Sequence, residues 1–316
     1  MEEVRIVVSV GDSPATSKPV HAKKGDVVTL HAVVRAGAVF YSDAERVELD
    51  GKKLHVEPMS RAPAIELAWS RIEPTSANTS NTASGVFRFE AIDYRATAID
   101  AANRTSIAAD VRPTLTTDHG GGVGTMRYQL TATQGDRTIA SAGIEARRGR
   151  GSGGLTDAVT RVTIRRDDTF LGFLTEMYGQ PYVWASAGLS DRTHQSERLE
   201  GSDCADLMVY GARRMGKHVA YTWTGGLPQV TKLLASGTRG EDGVYRDRAG
   251  KPVPFTHVGD LILFTRHVGA LAEDKGTKGV LDDQDIVLHT LFDSPKEQRI
   301  ADTGYASTPI ELRQFK

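Results

Sequence analysis

The chain carries a single cysteine, Cys204, among 316 residues. One thiol excludes an intrachain disulfide framework and any cysteine-rich zinc site. Long apolar stretches are also missing. Runs such as Leu261-Ile262-Leu263-Phe264 fall far short of the ~20 residues of a membrane-spanning helix. Charge of neither sign dominates, with a formal net charge of -1, so no broad positive field exists to attract nucleic acid or acidic lipid. There is no H-E-x-x-H, and Asp282-Asp283-Gln284-Asp285 lacks the glycine and glutamate spacing of a calcium loop. Neither a metal nor a cofactor is expected. Gly120-Gly121-Gly122-Val123-Gly124 is followed by no lysine at phosphate-loop spacing and by no helix pattern, so it reads as a turn. The amino-terminal MEEVRIVVSV lacks the basic start, long apolar stretch and cleavage site of a signal peptide. A mature secreted chain looks the same.

What is present divides the chain in two, in line with ~150 residues per domain. Residues 1–147 read as strands and turns. Val28, Leu30, Ala32 and Val34 alternate with Thr29, His31 and Arg35, after the turn Lys24-Gly25-Asp26. Met126, Tyr128, Leu130 and Ala132 form a second alternating run. The turn Gln134-Gly135-Asp136 then leads to Thr138–Ile144, which predicts a hairpin. Shorter runs fall at 4–10, 64–69, 86–91 and 106–111. The pattern predicts an all-β, immunoglobulin-like sandwich serving as an accessory domain. Residues 73–85 are small and polar and read as a long exposed loop. Residues 148–158, opening on Arg148-Gly149-Arg150-Gly151-Ser152-Gly153-Gly154, read as a solvated linker. Residues 159–316 make the second domain.

There the period changes. Asp167 or Asp168 can cap a helix with the apolar face Phe170, Leu171, Phe173, Leu174 and Met177, ended by Gly179. From Cys204, positions Leu207, Met208, Gly211, Ala212 and Met215 recur at helix spacing. Asp203 is a fitting N-cap, so the helix starts at the cysteine, where unpaired amides favour a thiolate. A cysteine on such a face is either a small buried core residue or a nucleophile. A nucleophile needs a base. Of the nine histidines, His21, His31, His55 and His119 read as surface residues of the first domain, and His194 and His218 as exposed. His257, His267 and His289 flank strand-like runs. Adjacent antiparallel strands place His267 and His289 side by side, so that one orients the other.

Five stretches in order resemble the NlpC/P60 cysteine peptidases: Gly179-Gln180-Pro181-Tyr182-Val183-Trp184, Ser202-Asp203-Cys204-Ala205-Asp206-Leu207, Val258–Phe264, His267-Val268-Gly269 and Val287-Leu288-His289-Thr290. The resemblance covers roughly residues 168–292. It implies an α+β, papain-like catalytic domain, with helices packed on an antiparallel sheet. It implies hydrolysis of bacterial cell-wall stem peptides at D-γ-glutamyl-diamino acid bonds, without a cofactor. The partner is then a peptidoglycan stem peptide, and the location extracellular or in the cell envelope. Cys204 corresponds to the nucleophile, His267 to the base and His289 to the residue that orients it, with Asp285 and Asp293 as alternatives. Tyr182 corresponds to a residue lining the site, and Trp184, Ser202 and Asp203 to substrate-binding positions. Two departures stand out. Ala185-Ser186 replaces two glycines, and Ala205-Asp206 replaces Ser-Gly. They leave room for a non-murein amide or acyl substrate. A silent catalytic domain beside a binding sandwich is the alternative of a different class.

Overall fold

The computed structural model describes residues 1–148 and 153–316; the centre of the expected linker, 149–152, lies outside the described residues. The chain is mostly β, with 39% strand and 12% helix in several curled sheets. This corrects the α+β, papain-like expectation. Among the described residues only Cys204–Arg214 forms an α-helix longer than five residues. The helix expected after Asp168 is confined to Phe170–Leu174. Thr175 turns its hydroxyl back onto the Gly172 carbonyl at 2.6 Å. Gly179 then takes φ +80, and Gln180 precedes a proline, a position that disfavours helix.

Two compact units form. The first comprises Met1–Ser76, Arg88–Thr114 and Asp118–Arg165, and the second Ala77–Phe87, Leu115–Thr117 and Arg166–Lys316.

The first unit holds an eight-stranded and a six-stranded sheet. In the larger, Glu3–Val10 runs antiparallel to Val28–Ala36 from Glu3↔Arg35 to Val10↔Val28. The expected alternation is visible, with Leu30, Ala32 and Val34 buried. In the smaller, Gly124–Gln134 pairs with Arg137–Ala140 across the two-residue turn Gly135-Asp136. Thr160–Arg165 pairs with the same long strand. The immunoglobulin-like plan of two antiparallel sheets is not what forms. Val20–Lys23 runs parallel to Thr160–Arg165, and Ala15–Thr16 runs parallel to Val47–Leu49.

In the second unit a seven-stranded sheet carries the order 245–246, 231–239, 310–315, 261–263, 268–273, 286–289, 296–299. Ile262, Phe264, Leu271, Val287, Ile310 and Leu312 build one apolar core on it. Residues 73–85 are an exposed loop only in part: 73–74 end the strand Glu66–Pro74 and 78–80 form another, while 83–85 are exposed. Asn78–Ser80 is a strand parallel to Tyr182–Trp184, with Asn78 opposite Tyr182. Asn81 is buried, and its amide group donates to the Ala185 carbonyl at 2.9 Å and to Gln195 Oε1 at 2.7 Å. Thr116 is tied in by 3.0 Å to Ser294 Oγ and accepts from the Gly179 amide at 2.7 Å.

The Cys204–Arg214 helix is anchored on Phe170–Leu174. A Cβ at Gly211 would come 2.5 Å from Leu174 Cδ2 and 2.8 Å from Phe170 Cε2, so glycine there lets the two helices touch. At its other end the fully buried Glu176 accepts from Arg214 Nε and Nη2, both at 2.9 Å, and from the Tyr210 hydroxyl. Removing one partner of such a pair strands a buried charge. Arg214→Ala, which leaves the fully buried Glu176 carboxylate without its cation, is expected to lower unfolding free energy by about 3–5 kcal/mol, read by urea denaturation.

Candidate functional site

Cys204 is the first residue of its helix. Asp203 lies extended at φ -82, ψ -179, and its Oδ1 accepts from the amides of Ala205 and Asp206 at 2.9 Å each. This is the N-cap the sequence predicts. The approach to it is held tightly. Val183 donates to the Ser202 carbonyl at 3.0 Å, and Ser202 donates to Pro181 at 3.3 Å. Gly201, at φ +132, permits that closeness, because a Cβ would meet Pro181 O and Val183 Cγ2 at 2.5 Å. Gly201 was visible in the sequence only as the residue before Ser202, and its role appears only with the backbone approach.

The Val268 and Ala205 amides reach the Cys204 sulfur and favour its thiolate. Burial works against them and the Asp203 charge adds to burial, so the thiol is pushed up and rests protonated. The helix start alone therefore does not make a thiolate here.

His267 closes the tight turn from Phe264, whose amide donates to the His267 carbonyl at 2.8 Å. His289 ends the strand Ile286–His289. Both are buried. Their rings meet edge to face at 4.8 Å, and His267 Nε2 lies 2.7 Å from His289 Nδ1. Phe264 and Tyr305 stack on the His267 ring at 5.9 and 5.1 Å. The other nitrogen of His267, Nδ1, is buried with no hydrogen-bond partner among the described residues. Gly269 makes room for this pair, since a Cβ there would lie 3.1 Å from His289 Cβ. Burial and the neighbouring His289 hold His267 well below the usual histidine range. Burial, with Lys296 adding, brings His289 down to about 4.

The alternatives to His289 are engaged elsewhere. Asp285 accepts from the Lys275 and Asp282 amides at 2.9 Å. Asp293 accepts from Lys296 Nζ at 2.8 Å. His257 is exposed, with 83% of its side chain accessible.

The other predicted residues are placed unevenly. Tyr182 is buried, edge-on to Phe292 at 5.3 Å, and its hydroxyl is pushed up by burial and by the charges of Cys204 and Asp203. Ser202 is fully buried, which takes its hydroxyl away from solvent. Trp184 is half exposed.

A cleft of about 480 Å³ opens beside Asp203, lined by Ser186, His194, Asp206, Tyr221 and Trp223 among others. The two departures from the family pattern meet on its floor. Ser186 Oγ donates to Asp206 Oδ2 at 2.5 Å and accepts from the Asp203 amide at 2.9 Å. Ala185 keeps a left-handed backbone, φ +55, which suits a glycine. His194, expected to be exposed, is buried. It stacks on Tyr221 at 3.7 Å, and its Nε2 lies 3.4 Å from Asp206 Oδ2. Burial and the Asp206 charge push the Asp203 carboxyl up, against the capping amides. No protein-family model, curated protein or solved structure matches this chain.

The histidine pair makes stability depend on pH. His289 falls from an unfolded value near 6.5 to about 4, so the unfolded chain binds more protons between those values. Stability is complete above pH 6.5 and declines as pH falls toward 4. His289→Asn is expected to remove on the order of 2–3 kcal/mol of that decline, measured as the difference between wild-type and variant denaturation series. A second variant tests the strained turn. Ala185→Gly is expected to raise stability by up to about 1 kcal/mol, seen as a higher denaturation midpoint.

Proposed function

We propose that the second unit is a cysteine peptidase acting on bacterial cell-wall stem peptides at D-γ-glutamyl-diamino acid bonds, as the NlpC/P60 resemblance implies. The observation that carries this reading is the buried His267. Its Nε2 is held by His289 at 2.7 Å, and its free Nδ1 belongs to the residue next to Val268, whose amide meets the Cys204 sulfur. In this reading Cys204 is the nucleophile, His267 the base and His289 the residue that orients it, and His267 Nδ1 has no hydrogen-bond partner among the described residues.

The chemistry starts from a neutral pair. His267 Nδ1 takes the Cys204 proton as the sulfur attacks the amide carbonyl. The Val268 and Ala205 amides that reach the sulfur in the resting state hold the negative charge until the bond forms. The Tyr182 hydroxyl, kept protonated, is the donor available to the oxyanion. His267 returns the proton to the leaving amine, and water releases the thioester. Asp206 lines the adjoining cleft beside the Asp203 carboxyl that its charge helps push up, and a single negative charge there suits an amine of a stem peptide. In mature form the enzyme acts outside the cell or in its envelope.

One observation favours a second reading, the same chemistry on a different amide. Ser186 and Asp206 add side chains to the cleft floor where the family pattern has glycines.

The test is mass spectrometry of L-Ala–D-γ-Glu–diaminopimelate–D-Ala after incubation. Wild type is expected to split it after glutamate, and Cys204→Ala to lose at least ~1000-fold in kcat. An intact tetrapeptide in the wild-type reaction rejects the stem-peptide substrate. If alkylation by iodoacetamide then shows Cys204 inert as well, the cysteine-peptidase reading goes with it. Because burial holds His267 in its basic form, the acidic limb of kcat/KM is expected below pH 6.5.

A further inference from the structure

The first unit contains a second constellation with a chemical use. Ser9 Oγ lies 3.0 Å from His31 Nε2, and His31 Nδ1 lies 3.0 Å from Asp43 Oδ1. The sheet register creates it. Val7 faces His31 and Ser9 faces Thr29, so Ser9 and His31 are diagonal neighbours on one face. That face carries the small apolar cluster of Val7, Ala15, Val33, Ala44 and Val47. Asp43 follows the strand Val39–Ser42. Its turn is fixed by Ser42 Oγ, which donates to the Ala32 carbonyl at 2.8 Å and accepts from the Ala44 amide at 3.2 Å.

The partners fix the tautomer. A carboxylate only accepts, so His31 Nδ1 carries the hydrogen and bare Nε2 receives the Ser9 hydroxyl. Burial raises the Asp43 carboxyl, but hydrogen bonds from His31, Ser106 and Thr105 outweigh it and hold the group ionised. Thr105 Oγ1 donates to Asp43 Oδ2 at 3.2 Å.

We propose that Ser9, His31 and Asp43 form a serine-nucleophile site that hydrolyses short-chain esters of polar alcohols. The relay has the connectivity that defines such sites by geometry rather than by sequence order. It opens onto a cleft of about 360 Å³ that Ser9 and His31 both line. Asp12, Ser13 and Glu45 give that cleft polar walls, which match a hydroxyl-bearing alcohol better than a long apolar chain. Arg46 lines it too and donates to the Asp12 carbonyl. Its guanidinium is the positive group available to a developing oxyanion.

The reaction balances without a co-reactant other than water. Ser9 Oγ attacks the ester carbonyl and its proton passes to His31 Nε2. The carbon–oxygen bond to the alcohol breaks, and the alcohol takes that proton. Water then attacks the acylated Ser9 and gives a proton to Nε2. The acid departs as Ser9 Oγ recovers the proton. An ester is the suitable substrate, because an alcohol leaves more readily than an amine.

The experiment uses the full chain carrying Cys204→Ala, so that no thiol competes. A fluorophosphonate probe is added, the protein is digested, and the labelled peptide is identified by mass spectrometry. p-Nitrophenyl acetate hydrolysis is followed in parallel. The label is expected on Ser9, at a rate at least ~100-fold lower in His31→Ala. Ester turnover is expected to fall by a similar factor in Ser9→Ala. Ser9 is only half buried, and an unchanged melting curve confirms that this variant folds. Absence of label on Ser9, labelling at an unchanged rate in His31→Ala, or turnover unchanged in Ser9→Ala each overturns the proposal.

Discussion

The contact between His267 Nε2 and His289 Nδ1 governs the second unit. Two imidazoles share one hydrogen bond away from water, and each must stay neutral to remain there. That demand shapes what surrounds them. Gly269 clears the space between the strands. Phe264 and Tyr305 stack on the His267 ring. The tight turn after Leu263 presents His267 at a strand start. The cost is a site that acid loosens. The same packing leaves the other nitrogen of His267, Nδ1, buried with no hydrogen-bond partner among the described residues.

Much of the site was legible in the sequence. Helix spacing after Cys204 and the capping Asp203 gave the helix start, because both are local rules. Alternation in residues 286–291 placed His289 on one face with Val287. The thiol's protonation state was not legible. It depends on burial, and burial is set by the sheet that packs against the helix. The strand Asn78–Ser80 was invisible for a related reason. Its residues are small and polar, so no alternation marks them, and its pairing with Tyr182–Trp184 reaches across more than half the preceding chain. The α+β expectation came from the family resemblance, and of the helices the pattern also offered, the one from Phe170 stops after five residues. A face says nothing about how soon a chain turns.

The two relays use opposite physics. In the second unit a buried histidine has a second histidine for its partner, with no carboxylate to favour its charged form. In the first unit His31 lies near solvent, with a carboxylate on one side and a hydroxyl on the other. Sequence reading set His31 aside because its strand face alternates as a polar face should. Only the register of Glu3–Val10 against Val28–Ala36 brings Ser9 beside it. A pairing of that kind is a property of two segments, and neither shows it alone.

The threading of Ala77–Phe87 and Leu115–Thr117 into the second unit bears on how this protein is made and how it can be altered. During synthesis these segments leave the ribosome long before Tyr182, Gly179 and Ser294, the residues they join. They wait unpaired while the intervening chain appears, and loop closure over such distances slows folding. Nor are the halves interchangeable modules. A fragment cut within the glycine-rich 149–152 stretch would separate Asn81 from the Ala185 carbonyl it holds. A second unit moved at that point would lack the strand Asn78–Ser80 that pairs with Tyr182–Trp184.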